Sequence, residues 1–147
     1  MKTKEIDAVQ LNVEVKDWRE AVEKAGKLLL EKGYIDSKYI HESISSIETF
    51  GPYVVIEPQL AIVHSTPGSY VNKTSFSLIT LKDEVRFGHE DNDPVKIVIM
   101  FASENNENHL GIIKKIVNVF SVKENKEKII SSMEEDSVLK LFEEDYL

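Results

Sequence analysis

Two short apolar runs, Tyr53 to Ile56 and Leu60 to Val63, lead into a single histidine, His64. An imidazole titrates near pH ~6.5, so around neutrality it offers an uncharged nitrogen nucleophile. A phosphoryl group placed on that nitrogen stays labile enough to be passed on. His64 is therefore a candidate phosphoryl carrier. Ser65 and Thr66 set two hydroxyls beside it that could donate to phosphoryl oxygens, although Ser65-Thr66-Pro67-Gly68 is equally ordinary turn chemistry. Glu57 could orient the imidazole through its N–H, or could be a solvated turn residue. His109 stands at the start of a helical pattern, where unpaired backbone N–H groups and the positive dipole end favour an anion. A phosphoryl group on His64 would meet those donors if the two segments face each other.

The segments that must position these residues follow from spacing. Asp17 reads as an N-cap with Glu20 three residues on, followed by Trp18, Ala21, Val22, Ala25, Leu28 and Leu29 at helical spacing and Gly33 as the stop. Asp36 opens a second helix with Ile40, Ile44 and Ile47 on one stripe, ended by Gly51-Pro52. The two apolar runs that follow are strands separated by Glu57-Pro58-Gln59, too short for a crossover helix. His64 then falls at a boundary between strand and loop. Thr74 to Lys82 alternates and predicts a strand, and Val85 to Phe87 predicts a second short one. Val95 to Ala102 is almost continuously apolar, the pattern of a central strand covered on both faces. A third helix is expected from about His109, turning Leu110, Ile113, Ile116, Val117 and Phe120 inward, then two shorter ones over Lys123 to Met133 and Asp136 to Tyr146. The first ten residues read as polar and irregular. This order predicts an α/β fold, a three-layer α/β/α sandwich with a mixed central sheet flanked by helices on both faces.

Composition narrows the chemistry. At 147 residues and 41% hydrophobic, residues 1–147 are expected to form one domain around a single core. With no cysteine, there is neither a disulfide framework nor a thiolate site, which leaves imidazole and carboxylate as reactive groups. A net charge of −8 argues against nucleic acid, whose phosphates are held by clustered Lys and Arg. No apolar segment approaches membrane-span length and no signal pattern opens the chain, so a cytoplasmic protein is expected. His89 with Glu90, Asp91 and Asp93 fits no strong metal motif, and no metal or other cofactor is assigned. The GxxxxGK[ST] loop of nucleotide users and the GxSxG elbow of serine hydrolases are both missing, which points to another protein as phosphoryl donor.

With these residues in place, the chain resembles the enzyme IIA components of the sugar phosphotransferase system (PTS), of the mannitol and fructose class and nearest its ascorbate-type branch. The resemblance rests on Asp17-Trp18-Arg19-Glu20-Ala21, Leu28-Leu29, Phe50-Gly51-Pro52-Tyr53-Val54-Val55-Ile56 through Pro58, Leu60-Ala61, His64, Ser77-Leu78 and Leu81-Lys82. It continues through His89-Glu90-Asp91-Asn92-Asp93-Pro94-Val95 to His109. It implies that His64 takes a phosphoryl group from the phosphohistidine of the small carrier HPr and delivers it to a cysteine of a cognate enzyme IIB. That component works with a membrane permease, enzyme IIC. The same resemblance implies that His109 assists the active histidine. The chain departs from the family's pattern at Val63 and Gln59, where Pro and Gly are common, and at Thr66 and Glu48, where arginines occur. An alternative reading is a regulatory module whose phosphorylation state is read by a transcription factor or kinase. A metal-dependent hydrolase using His64, His89 and His109 is the third.

Overall fold

Capping residues set the helix starts. The structure, a computed structural model, describes residues 6–144. The Asp17 carboxylate accepts from the Glu20 N–H at 2.9 Å and starts α1 (Trp18–Glu31), and Asp36 accepts from Lys38 N–H to start α2 (Ser37–Phe50). Satisfying an otherwise unpaired N–H in this way stabilises a helix by about 1 kcal/mol. Gly33 and Gly51 follow these helices with φ of 76° and 88°, a left-handed backbone that glycine adopts without a Cβ clash. Inside α1, Gly26 lets α2 approach: a Cβ there would stand 2.6 Å from Ile40 Cγ1.

Five strands form one sheet in the order β1-β4-β5-β3-β2. They are β1 (Ala8–Val13), β2 (Val55–Glu57), β3 (Gln59–Val63), β4 (Ser75–Val85) and β5 (Val95–Ala102). β5 lies at the centre, parallel to β3 and antiparallel to β4, while β1 runs parallel to β4 and β2 antiparallel to β3. The sheet is thus mixed. On one face α1 and α2 bury Ala21, Val22, Ala25, Leu29, Ile40 and Ile47 against Ala61, Val63, Val98 and Met100. On the other, α3 (Asn106–Phe120), α4 (Lys123–Ser131) and α5 (Glu135–Glu143) pack on Leu60, Ile62, Phe76, Leu78, Ile97, Ile99 and Phe101. The α/β/α sandwich expected from the order of elements is the observed fold. Among the described residues no helix is long and apolar enough to cross a membrane.

Several local expectations are corrected. The N-terminal segment is not irregular throughout, because β1 occupies Ala8–Val13 and its Val9 and Val13 enter the two cores on opposite faces. β4 runs unbroken through Val85 with a register irregularity after Thr80, so the proposed short strand from Val85 to Phe87 does not exist separately. α3 begins at Asn106, capped by the Asn105 side chain, three residues before the sequence suggested. Its buried stripe is Ile112, Ile116, Val119 and Phe120, whereas Leu110 and Val117 are exposed. The reason is phase: at 100° per residue, the face carrying 112, 116 and 119 turns 110 and 117 outward. α5 ends at Glu143, and Tyr146, its expected last residue, lies outside the described residues.

Candidate active site

β3 ends at Val63, and His64 is the first residue beyond it. Alternation along the strand sets its side chain on the same face as Ile62, toward α3. There the imidazole stacks on Phe101 of β5, with ring centroids 4.7 Å apart and planes 20° apart. His109 meets it edge-on at 5.5 Å, and Tyr53 closes a third side at 6.4 Å. Three aromatic neighbours leave His64 half-buried, with Nδ1 shielded from water and without a hydrogen-bond partner.

The same surroundings set the protonation state. Burial pushes the His64 pKa below the usual 6.5, the nearby Ile62 carbonyl pulls it back, and the His109 ring lowers it again. The net effect keeps the imidazole neutral, and hence nucleophilic, further into acid than a free histidine.

His109 lies in the first turn of α3, its own N–H bonded to the Asn105 carbonyl at 3.1 Å. Its Nδ1 is 3.4 Å from the buried Ser103 hydroxyl, which fixes the ring's orientation from the end of β5. The start of this helix is braced by Thr74, whose hydroxyl accepts from Glu104 N–H at 3.0 Å and from Asn108 Nδ2 at 3.2 Å. The first turn of α3 and His64 thus meet at the C-terminal ends of β3 and β5, the end of an open α/β sheet where ligands bind.

Ser65 sits beside His64 on the opposite side of the strand. Its hydroxyl donates to Glu42 of α2 at 3.2 Å, and its N–H donates to the Tyr39 hydroxyl at 2.9 Å. Thr66 is exposed on the loop that follows, and Gly68 N–H ties that loop to the Ser103 carbonyl at 2.8 Å. Glu57 does not join this group. It opposes Leu60 at the far end of the β2–β3 hairpin, about 13 Å of extended strand from His64, and pairs with Lys126 at 2.6 Å. An orienting role for Glu57 is excluded by that distance. Glu48 is likewise engaged elsewhere, at 2.9 Å from Arg19. In the acidic loop, His89 Nδ1 accepts from the Asp91 and Asn92 N–H groups, while the Asp93 carboxylate accepts from Phe87 and Gly88. These groups serve the loop's own backbone.

Sequence reasoning missed Tyr39, Phe101 and Ser103. Each reads locally as core or turn; the parallel register of β3 on β5 sets Phe101 against His64 and Ser103 near His109, and the packing of α2 brings Tyr39 to Ser65. Phe101 was within reach as part of the central strand; nothing in the sequence distinguished Tyr39.

A mixed-sheet sandwich presenting a neutral, half-buried imidazole beside a helix N-terminus defines a class of protein that carries a small anionic group on histidine. Comparison with known proteins makes this specific. Residues 3–145 match the family described as phosphoenolpyruvate-dependent sugar phosphotransferase system, EIIA 2, and the chain belongs to that family. Its members are phosphotransferases with a phosphohistidine intermediate, and the chain is a phosphoryl carrier of sugar uptake. The ascorbate-specific PTS system EIIA component of Escherichia coli K12 is 38% identical over 137 residues, covering 92% of this chain and 89% of that protein. The solution structure of the mannitol-specific cryptic phosphotransferase enzyme IIA of E. coli has a TM-score of 0.82 at 26% identity, covering 97% of this chain and 95% of that one. The mannitol enzyme IIA of E. coli, solved in complex with phosphorylated mannitol enzyme IIB, has a TM-score of 0.81 at 26% identity and covers 91% and 92%.

Proposed function

We propose that His64 is the residue that carries the phosphoryl group, taking it from the phosphohistidine of HPr and passing it to a cysteine of an enzyme IIB. The permease served is a membrane enzyme IIC of the ascorbate type. One observation carries the reading: a half-buried imidazole, its pKa lowered by burial and its Nδ1 turned away from water, has its ring centroid 5.5 Å from that of a second histidine in the first turn of α3. The relative solved with its phosphorylated enzyme IIB supports the acceptor, and the ascorbate-specific relatives support the substrate class.

In the first step the P–N bond of the donor breaks as a P–N bond to His64 forms, and the old bonding pair returns to the donor imidazole. In the second the His64 P–N bond breaks as the acceptor thiolate forms a P–S bond. Both steps pass through a loose, metaphosphate-like transition state, so in-line placement and moderate electrostatics matter more than a strong base. His109 and the N–H groups opening α3 stabilise the equatorial oxygens. Thr66 adds a hydroxyl, and Ser65 can do so by releasing Glu42. Neither Thr66 nor Glu48 supplies the cation that arginines at these positions would, so neutral donors carry this load here.

The test incubates the protein with phosphoenolpyruvate, enzyme I and HPr and follows intact mass. One acid-labile phosphoryl group is expected, together with its transfer to an ascorbate-type enzyme IIB on addition of that domain. A protein that takes up no phosphoryl group overturns the assignment. Uptake without transfer to any enzyme IIB supports the regulatory reading in its place.

A further inference from the structure

Tyr39 is fully buried on α2, across the sheet from the His64 ring. Its hydroxyl accepts from Ser65 N–H at 2.9 Å and donates to the Phe101 carbonyl at 2.8 Å. These two backbone groups are not an arbitrary pair. Val63 stands opposite Met100, so Ser65 would stand opposite Ala102 and, in a parallel ladder, donate to the carbonyl one residue earlier, that of Phe101. The tyrosine hydroxyl therefore occupies the next rung of the β3–β5 ladder. A direct rung spans about 2.9 Å from N to O, and an inserted oxygen bonded to both groups holds them further apart. The two strands part immediately after Val63, and the residues at the fork are His64 and Phe101, whose rings stack.

We propose that Tyr39 is a positioning residue for phosphoryl transfer, its hydroxyl wedged into the last rung of the β3–β5 ladder so as to set the angle at which the His64 ring meets donor and acceptor. The proposal rests on the carrier reading above. Without the hydroxyl, Ser65 N–H and the Phe101 carbonyl are free to pair directly, which draws the His64 backbone toward β5 and turns the ring. Transfer between nitrogen and sulfur through a loose transition state is sensitive to such a turn, because a misplacement of about 1 Å costs on the order of 100-fold. Glu42, one turn further along α2, holds the Ser65 hydroxyl, so the same helix grips this residue twice. Burial, aided by Glu42 and Tyr53 and opposed by the Ser65 N–H, pushes the Tyr39 pKa up to about 12. The hydroxyl consequently keeps its donor proton at every pH at which the carrier works.

The experiment compares wild type, Tyr39→Phe and Ser43→Ala in single-turnover transfer from phosphorylated HPr, with the His64 ring resonances followed by NMR. Ser43 is the control: it is buried on the same helix and donates to the Tyr39 carbonyl rather than to either strand end. For Tyr39→Phe, measured well below its thermal midpoint, the transfer rate is expected to fall about 10- to 100-fold, at unchanged dependence on donor concentration. Its His64 resonances should shift, while Ser43→Ala transfers at the wild-type rate. A wild-type rate with unshifted His64 resonances in Tyr39→Phe overturns the proposal, as does an equal loss in Ser43→Ala. Should Tyr39→Phe fail to fold, difluorotyrosine installed at position 39 keeps the shape and alters both hydrogen bonds. A changed transfer rate then supports the role and an unchanged one overturns it. The wild-type arm separates the two claims: no uptake by wild type removes the carrier assignment itself, and rapid uptake by both wild type and Tyr39→Phe removes only the role of Tyr39.

Discussion

The two ends of β3 are built from opposite materials. At the N-terminal end, Lys126 pairs with Glu57 and donates to the Pro58 carbonyl, Gln59 N–H bonds to the Asn92 carbonyl, and Asn92 bonds back to Val55. At the C-terminal end, His64 is surrounded by Phe101, Tyr53 and His109, and the backbone is held by an uncharged tyrosine hydroxyl. Charge secures the end that has only to stay closed. The end proposed to accept and release a phosphoryl group surrounds its imidazole with rings and neutral dipoles, and the Glu42 carboxylate there bonds the Ser65 hydroxyl.

The largest test of this contrast is His64→Ala, which should abolish phosphorylation completely, as intact mass reads directly, while leaving the far end of the hairpin folded. His109→Ala should still accept a phosphoryl group but deliver it to enzyme IIB about 100-fold more slowly, the size usual for a lost transition-state donor. Equal and complete loss in both variants would erase the division of labour between the two histidines. Acid should act next in size. Because burial lowers the His64 pKa, the neutral nucleophile persists below pH 6.5, and the rate of phosphoryl acceptance should fall only as pH drops through that depressed value. The sign for stability is the same: the unfolded chain takes up the proton first, so stability declines as pH falls from 6.5 toward the folded-state value. An acceptance rate that halves at or above pH 6.5 would show that the ring is better solvated than its neighbours allow. The smallest effect belongs to the other end of the strand. Lys126→Met should lower stability by no more than about 1 kcal/mol, the pair being partly open to water, and leave the transfer rate unchanged in the folded protein.

How legible each end was in the sequence differs for the same reason. His64 announced itself because its neighbours along the chain, an apolar strand before and a hydroxyl loop after, are local signals. His109 was legible as a helix-start residue, although the helix begins three residues earlier, at Asn106. Glu57 misled because proximity in sequence suggested proximity in space, whereas an extended strand carries residues apart by ~3.3 Å each. β1 was overlooked because its pattern is short and interrupted by Asn12, whose positive φ marks an irregular edge.

By itself the chain's order of residues determined the layered fold, the central strand and the imidazole proposed to carry the phosphoryl group, because periodicity, caps and breakers act over a few neighbours. Only the tertiary structure decided what touches that imidazole. Phe101, Ser103 and Tyr39 lie 25 to 39 positions from His64 in sequence: Phe101 stacks on its ring, Ser103 holds His109 and Tyr39 holds Ser65, through the pairing of β3 with β5 and the packing of α2 beneath them. Such contacts are fixed by register and by burial on a shared sheet, quantities that no local pattern encodes.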